Sequence, residues 1–213
     1  MALADKPLRR DAERNRELIL EAARAAFAED GLDVGLHEIA KRAGVGVGTV
    51  YRRFPDKADL IEALFQDRVE DVVAIAEAAL AEDDAWQGLT TFLDATCRLQ
   101  AADRGLHQLV FAGDNAVKCA SGARERIAPL VAQLVVRAQE QGTLRRDVGP
   151  LDVGMMRKMV GEFIEQSGEA GAEVWPRLLA IALDGLRADR EGSDLPGTTP
   201  SPALFDQMLT QRG

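Results

Sequence analysis

Hydrophobic residues recur along the chain with the period of an α-helix. In the first long segment, residues 11–30, the apolar side chains follow i, i+3 and i+4 spacing, and Gly31 comes directly after the segment. Similar amphipathic stretches follow, and no run alternates as a β-strand does. The pattern predicts an all-α protein with nine helices, at about residues 11–30, 36–43, 47–54, 57–81, 84–101, 104–116, 121–141, 150–167 and 173–189.

Glycine, proline and aspartate mark several of the predicted helix ends. Gly44 ends the second helix, Pro55 ends the third, and Gly122 indicates a break near the start of the seventh. Asp56 and Asp59 have the spacing of a capping box, which predicts that the long fourth helix starts directly after Asp56.

These elements divide the chain into three parts. Residues 1–56 contain the first three predicted helices, and residues 57–190 contain the others. Residues 191–213 are rich in proline, glycine, serine and threonine, so we expect an extended or mobile tail.

The composition is typical of a soluble globular protein. Hydrophobic residues make up 46% of the chain and charged residues 29%. No apolar run reaches the roughly 18 residues that a membrane span needs, and the polar start of the chain lacks the pattern of a secretory signal. We therefore expect a cytoplasmic protein with no membrane partner.

Candidate catalytic and metal-binding groups are scarce. Two cysteines and two widely separated histidines give neither a disulfide framework nor a metal motif. Gly44, Gly46 and Gly48 resemble a phosphate-binding loop, but no predicted strand precedes them. With no Ser/His/Asp or Cys/His constellation either, we expect a protein that is not an enzyme and uses no cofactor or metal.

The charge is distributed unevenly along the chain. The net charge is -9 overall, but residues 1–57 have 11 cations against 10 anions. Within residues 36–57 there are five cations and two anions. A small cationic segment in an otherwise acidic chain is typical of a nucleic-acid-binding element.

That cationic segment also has the pattern of a helix-turn-helix. Two short predicted helices are joined at Gly44, which can adopt the positive φ that a tight turn requires. Inward positions are apolar, whereas the second helix directs hydroxyl, aromatic and guanidinium groups outward, at Thr49, Tyr51, Arg52 and Arg53. Such side chains suit phosphates and base edges, and the second helix of this motif enters the major groove.

Residues 16–64 resemble the DNA-binding part of the tetracycline-repressor (TetR) family of bacterial transcriptional regulators. The resemblance rests on Ile39-Ala40, Ala43-Gly44-Val45, Gly48-Thr49-Val50-Tyr51, Phe54-Pro55 and Lys57. It implies a TetR-like all-α fold, with an amino-terminal DNA-binding domain and a carboxy-terminal bundle for ligand sensing and dimerisation.

The chain departs from many relatives at two places. Gly35 stands where Ser or Thr commonly caps the second helix, and Gly46-Val47 replaces Ser-Lys or Ser-Arg. A common phosphate contact is therefore missing, and Val47 could instead touch a thymine methyl group.

The candidate DNA contacts follow from the resemblance and from side-chain chemistry. Arg52 and Arg53 are either base readers or phosphate clamps. Lys57 opposes the dipole of the fourth helix, which a nearby phosphate would explain. Lys41 and Arg42 are weaker candidates that could simply be surface charges. The full set is Val47, Thr49, Tyr51, Arg52, Arg53, Lys57, Lys41 and Arg42.

The second part of the chain offers candidates for a ligand pocket. Met155, Met156 and Met159 are flexible and could form either a pocket wall or an interface. Glu162 would favour a cationic or hydroxylated ligand if it faced inward. The pocket candidates are Phe92, Thr96, Gln100, His107, Phe111, Met155, Met159, Glu162 and Phe163.

The resemblance also implies a homodimer formed by the last two helices. The apolar positions that would form a four-helix contact are Val153, Met156, Val160, Ile164, Trp175, Leu178, Leu179, Ala182, Leu183 and Leu186. Two recognition helices would then meet a pseudo-palindromic operator in double-stranded DNA.

The resulting hypothesis is a ligand-responsive DNA-binding regulator, by family habit a repressor released by a small molecule. The alternative is a helical ligand-binding or interaction protein whose DNA reader has degenerated. Salt-dependent DNA binding by the purified protein distinguishes the two.

Overall fold

The computed structural model describes residues 5–31, 33–102, 116–189, 195–197 and 201. Within those ranges the chain is helical, which confirms the predicted all-α class. The described residues form eight α-helices, which are α1 (Asp5–Asp30), α2 (Leu36–Ala43), α3 (Val47–Arg53), α4 (Lys57–Leu80), α5 (Ala85–Ala102), α6 (Ala116–Glu140), α7 (Pro150–Ser167) and α8 (Trp175–Leu186). A short 3-10 turn, Gly168–Gly171, links α7 to the segment before α8.

Most of the predicted helix limits agree with the structure to within about two residues. Two starts were wrong. α1 begins at Asp5 instead of 11, because a charged helix needs no apolar stripe in its first turns. α6 begins at Ala116 and continues through Gly122, since one glycine costs a helix only about 1 kcal/mol. The predicted helix at 104–116 and most of the tail after 190 lie outside the described residues.

The described residues form two compact units. The amino-terminal unit contains the chain up to Arg68 together with the first residues of α6. The carboxy-terminal unit contains Val69–Ala102 and the chain from Ala120 onward. Both α4 and α6 therefore contribute residues to each unit.

The core of the amino-terminal unit is built by the first four helices. α1 packs against α2, and α2 packs against α3. The side chains that are fully buried or nearly so include Ile19, Leu20, Phe27, Ile39, Ala40, Val50, Phe54, Leu60 and Leu64. Asp67 of α4 accepts hydrogen bonds from two arginines of α1, Arg16 at 2.9 Å and Arg24 at 3.3 Å, which fixes α4 against α1 within this unit.

The core of the carboxy-terminal unit lies between α5, α7 and α8, with contributions from α4 and α6. Its fully buried side chains include Leu89, Leu93, Cys97, Leu134, Leu144, Val160 and Ile164. At Gly88 a Cβ would overlap the main-chain oxygen of Ala79, so glycine is what allows α5 to approach the end of α4 this closely. Arg137 of α6 donates hydrogen bonds to the main-chain oxygens of Leu80 and Glu82 just there.

None of the helices in the described ranges is both long and apolar enough to cross a lipid bilayer.

Candidate nucleic-acid interface

The turn between α2 and α3 is rigidly defined. Gly44 adopts a left-handed conformation with φ 66° and ψ 25°. The main-chain N–H of Val45 donates to the oxygen of Ala40 at 3.1 Å, and the N–H of Gly44 donates to that of Lys41 at 3.2 Å. Paired bonds of this kind satisfy the last carbonyls of a helix and favour glycine at its end. The predicted helix-turn-helix is therefore present, with α3 as its second helix.

The second helix has one buried face and one exposed face. Val50 is fully buried, and Phe54, directly after α3, is nearly so. Val47 and Tyr51 are 37% and 43% exposed, which is high for apolar or aromatic side chains. Thr49 is half-buried, and Arg52 and Arg53 are exposed. α3 contains no acidic residue, so nothing on the helix itself repels a phosphate backbone.

Tyr51 does not stand alone on this surface. Its ring lies edge-on to the imidazole of His37 in α2, with 5.8 Å between the ring centroids and an interplanar angle of 70°. The contact fixes the direction of the Tyr51 ring, as edge-to-face aromatic pairs do. His37 was missed as a site residue, and the only signal for it was its place in the first turn of α2.

Lys57 lies at the first position of α4, as predicted. Its ammonium group sits 5.5 Å from the centroid of the Phe27 ring of α1. The capping box before it is confirmed, since the N–H of Asp59 donates to Asp56 Oδ1 at 2.8 Å and the N–H of Asp56 donates to Asp59 Oδ2 at 3.4 Å. Lys57 is thus held at a helix start whose own N–H groups also attract anions.

The two α2 cations differ from the α3 cations. Arg42 binds three carboxylates, those of Glu29, Asp30 and Glu38. Desolvation lowers the pKa of Arg42, but the bonds to Asp30 and the two glutamates outweigh it, so the pKa is raised overall. The Lys41 Nζ atom lies 3.9 Å from Glu38 Oε2. Both cations are therefore partly neutralised before any DNA arrives.

The arginines of α3 form fewer ion pairs than Arg42 does within the described residues. Arg53 Nη2 lies 4.0 Å from Glu13 Oε2 of α1, at the limit of an ion pair. For Arg52 the described part of the chain supplies no carboxylate within ion-pair distance. Arg52 is consequently the guanidinium of this surface that is freest to contact DNA.

The pocket candidates in the carboxy-terminal unit do not form one set. Phe92 and Thr96 are buried in α5, and the Thr96 hydroxyl donates to the oxygen of Leu93 at 3.1 Å. Met155 and Phe163 are half-buried, whereas Met159 is 56% exposed. Glu162 Oε1 lies 3.5 Å from Lys158 Nζ. Two further candidates, His107 and Phe111, lie outside the described residues.

Gln100 is the pocket candidate with the richest polar surroundings. Its amide nitrogen donates to the oxygen of Gly161 at 3.3 Å and to Glu165 Oε1 at 3.1 Å, and its amide oxygen accepts from Arg157 Nη1 at 3.2 Å. Arg157 was missed, because an isolated arginine in an amphipathic helix normally indicates a solvated face.

The dimer candidates divide into two groups. Five are buried within the chain itself: Val153, Val160, Ile164, Trp175 and Leu179. The other five are partly buried: Met156, Leu178, Ala182, Leu183 and Leu186. The exposed apolar side chains on or next to α7 and α8 are instead Met159, Val174 and Ile181, at 56%, 48% and 61%.

Comparisons with known proteins agree with this architecture. Residues 19–64 match the family model described as bacterial regulatory proteins of the tetR family. Residues 84–188 match the model of the SbtR-like transcriptional regulator C-terminal domain. A curated HTH-type transcriptional regulator of Staphylococcus aureus is 31% identical over 115 residues, which are 52% of this chain and 61% of that protein.

Two solved structures match most of the chain. A TetR transcription regulatory protein from Mycobacterium vanbaalenii is 37% identical, with a TM-score of 0.67, over 85% of this chain and 99% of that one. A TetR transcriptional regulator from Streptomyces coelicolor is 30% identical, with a TM-score of 0.66, over 82% of this chain and 99% of that one. The expectation that the chain is not an enzyme agrees with this relationship. The chain belongs to the TetR family of bacterial transcriptional regulators and carries the family's DNA-binding helix-turn-helix domain.

Proposed function

We propose that the protein is a repressor that binds a pseudo-palindromic operator as a homodimer and is released by a small molecule. Domain limits near residues 1–56, 57–190 and 191–213, a cytoplasmic location and the DNA-contact residues are parts of the same proposal. The observation that carries it is the exposed face of α3, where Val47, Tyr51 and Arg52 lie on a helix held by the buried Val50.

The chemistry of that face fits DNA. A guanidinium can bind a guanine edge or a phosphate, and a tyrosine hydroxyl reaches the backbone. Val47 is the first residue of α3, and the amino-terminal residues of recognition helices commonly contact base edges. Its methyl groups suit a thymine methyl. Lys57 would contact the backbone phosphates, whereas Arg42 mainly holds α2 to the end of α1.

The exposed faces of α7 and the α8 region support a self-association surface. Met159, Val174 and Ile181 are large apolar side chains with about half their surface or more in solvent. Val174 and Ile181 are seven residues apart, which is the spacing of one helix face. Contiguous exposed apolar patches mark interaction sites more often than scattered apolar side chains do. We propose that these residues form the centre of the dimer contact, flanked by the partly buried Met156 and Leu178. Val153, Val160, Ile164, Trp175 and Leu179 would support it from the protomer's core.

Release by a ligand requires that the ligand bind the two DNA-affinity states unequally. α4 contributes residues to both units. We therefore propose that α4 couples ligand binding in the carboxy-terminal unit to the DNA affinity of the amino-terminal unit. A tenfold preference at each of two sites would provide about 1.4 kcal/mol per site.

Selection of bound duplexes from a random pool tests the DNA-binding part of the proposal. We expect an enriched pseudo-palindrome whose half-sites are about one helical turn apart, and binding that weakens steeply with salt. Absence of any salt-dependent binding would instead support the degenerate-reader alternative.

A charge placed on the proposed contact surface tests the dimer. Ile181→Glu should produce monomers in sedimentation velocity and should weaken operator binding, because burying an unpaired carboxylate is unfavourable. Val136→Glu is the matched control, since Val136 is 48% exposed on α6. If Ile181→Glu sediments like the unmodified protein, the interface lies elsewhere.

A further inference from the structure

A half-buried polar cluster joins α5 to α7 in the carboxy-terminal unit. The Gln100 amide lies between Arg157, which donates to its oxygen, and Glu165, which accepts from its nitrogen. Gly161 makes the arrangement possible, because a Cβ there would lie 2.5 Å from Gln100 Oε1. These hydrogen bonds fix the orientation of the Gln100 amide. The amide is neutral, so it orients the Arg157 guanidinium without balancing its charge.

The Arg157 charge is poorly compensated. Among the residues that the structure describes, no carboxylate oxygen comes within ion-pair distance of its guanidinium. Burial lowers the pKa of Arg157, but a guanidinium remains charged in proteins. The neighbouring Cys97 thiol supplies no countercharge, since burial raises its pKa. A partly desolvated cation that is bonded only to an amide gains stability when an anion neutralises it.

The guanidinium also has an unused edge. Nη1 donates to Gln100, while in the described ranges no hydrogen bond occupies Nε or Nη2. These two N–H groups point side by side and match the two oxygens of a carboxylate. The buried side chains within one turn of this pair include Cys97 on α5, three residues before Gln100, and Val160 on α7, three residues after Arg157. The surroundings thus suit an apolar molecule with one anionic end.

We propose that Arg157 binds the carboxylate of the small-molecule effector and that the effector is an organic monocarboxylate with an apolar body. This inference rests on the proposed ligand-released repressor. It replaces the expectation that Glu162 selects a cationic ligand, because Glu162 pairs with Lys158. A dianionic phosphate is disfavoured, since one guanidinium balances only one charge.

Thermal unfolding of the full chain with chosen probes tests the proposal. Octanoate and benzoate are the carboxylate probes, octanamide and benzamide their neutral counterparts, and inorganic phosphate the alternative anion. We expect a carboxylate at about ten times its Kd to raise Tm by about 3–6 °C, and the amides and phosphate to raise it much less.

Two variants and one control locate the effect. Arg157→Gln should abolish the carboxylate-dependent rise with little change in the basal Tm, because it removes a half-buried charge that no carboxylate of the described residues pairs with. Arg157→Lys should retain only part of the rise, since an ammonium cannot form the two-pronged contact. Arg126→Gln is the control, because Arg126 already binds both oxygens of Glu70, at 2.7 and 2.8 Å.

Each other outcome overturns the inference. A Tm that no carboxylate changes, an equal response to amides or phosphate, or a full response in Arg157→Gln would each show that Arg157 is not the anchor. Operator binding is measured separately on the same samples. Failure of the Tm test with intact DNA binding rejects the ligand class alone, whereas loss of DNA binding in the unmodified protein rejects the proposed function.

Discussion

The proposed DNA-contact surface, formed by α2, α3 and the start of α4, differs from the Gln100–Arg157 cluster in two respects. The two sites differ in how far apart their residues lie in the sequence and in how exposed their cations are. On the surface, every candidate lies within 21 residues of the chain, from His37 to Lys57, and the two arginines of α3 are exposed. In the cluster, Gln100 contacts residues 57 and 65 positions away, and the Arg157 cation is half-buried. A surface built from sequence neighbours can change its side chains without loss of the fold, whereas the cluster depends on helices brought together by a large core.

The largest effect should come from the core that holds the cluster. Leu93→Ala removes a fully buried side chain of α5 and should lower the free energy of unfolding by about 2–5 kcal/mol. Chemical denaturation measures this, with Val136→Ala as an exposed control expected within about 0.5 kcal/mol. The operator sequence preferred by the remaining folded protein should not change. A changed preference would show that this core also determines which operator the protein binds.

Arg52→Ala should change DNA binding and leave the free energy of unfolding nearly unchanged. We expect a loss of about 1–3 kcal/mol in binding, concentrated at one operator position, if Arg52 reads a base. Stability should be nearly unaffected because the side chain is exposed. Fluorescence anisotropy on single-base operator variants makes the measurement, with Arg98→Ala in α5 as control. A uniform loss over all variants would reassign Arg52 to the backbone.

Gly44→Ala should affect both stability and DNA binding. The turn has φ 66°, where a Cβ costs about 1–2 kcal/mol, and displacement of α3 would also weaken operator binding. Gly122→Ala gives the comparison, since that glycine lies within α6 with nothing near its missing Cβ. There we expect a gain in stability of about 0.5–1 kcal/mol. Equal effects at the two glycines would contradict the strained turn.

Lys57→Ala should give the smallest change in operator affinity of the variants considered, and it tests whether Lys57 contacts a phosphate. Removal of one phosphate contact should weaken binding similarly on all sequences and reduce the slope of log K against log salt by about 1. Anisotropy titrations at several salt concentrations measure the slope. Lys158→Ala, a lysine paired with Glu162 in α7, should leave it unchanged. An unaltered slope in Lys57→Ala would remove its phosphate role.

The sequence predicted the fold class, most helix limits, the capping box and the helix-turn-helix, because each depends on residues a few positions apart. Gly44 needs only its own backbone conformation, and Asp56 needs only Asp59. It could not predict that Gln100 meets Arg157, since that pairing depends on how α5 packs on α7. The sequence also could not separate side chains of α7 that are buried in the core of the chain, such as Val160, from those left in solvent, such as Met159. Both kinds satisfy the same helical period.

The ring contacts of Lys57 and Tyr51 bear on the thermodynamics of operator recognition. Phe27 lies beneath the ammonium group and His37 beside the phenol ring already in the protein without DNA. Long side chains that become immobilised in a complex each lose roughly 0.5–1.5 kcal/mol of rotameric freedom. Part of that loss occurs during folding for these two groups, so they would lose less rotameric freedom when the complex with the operator forms.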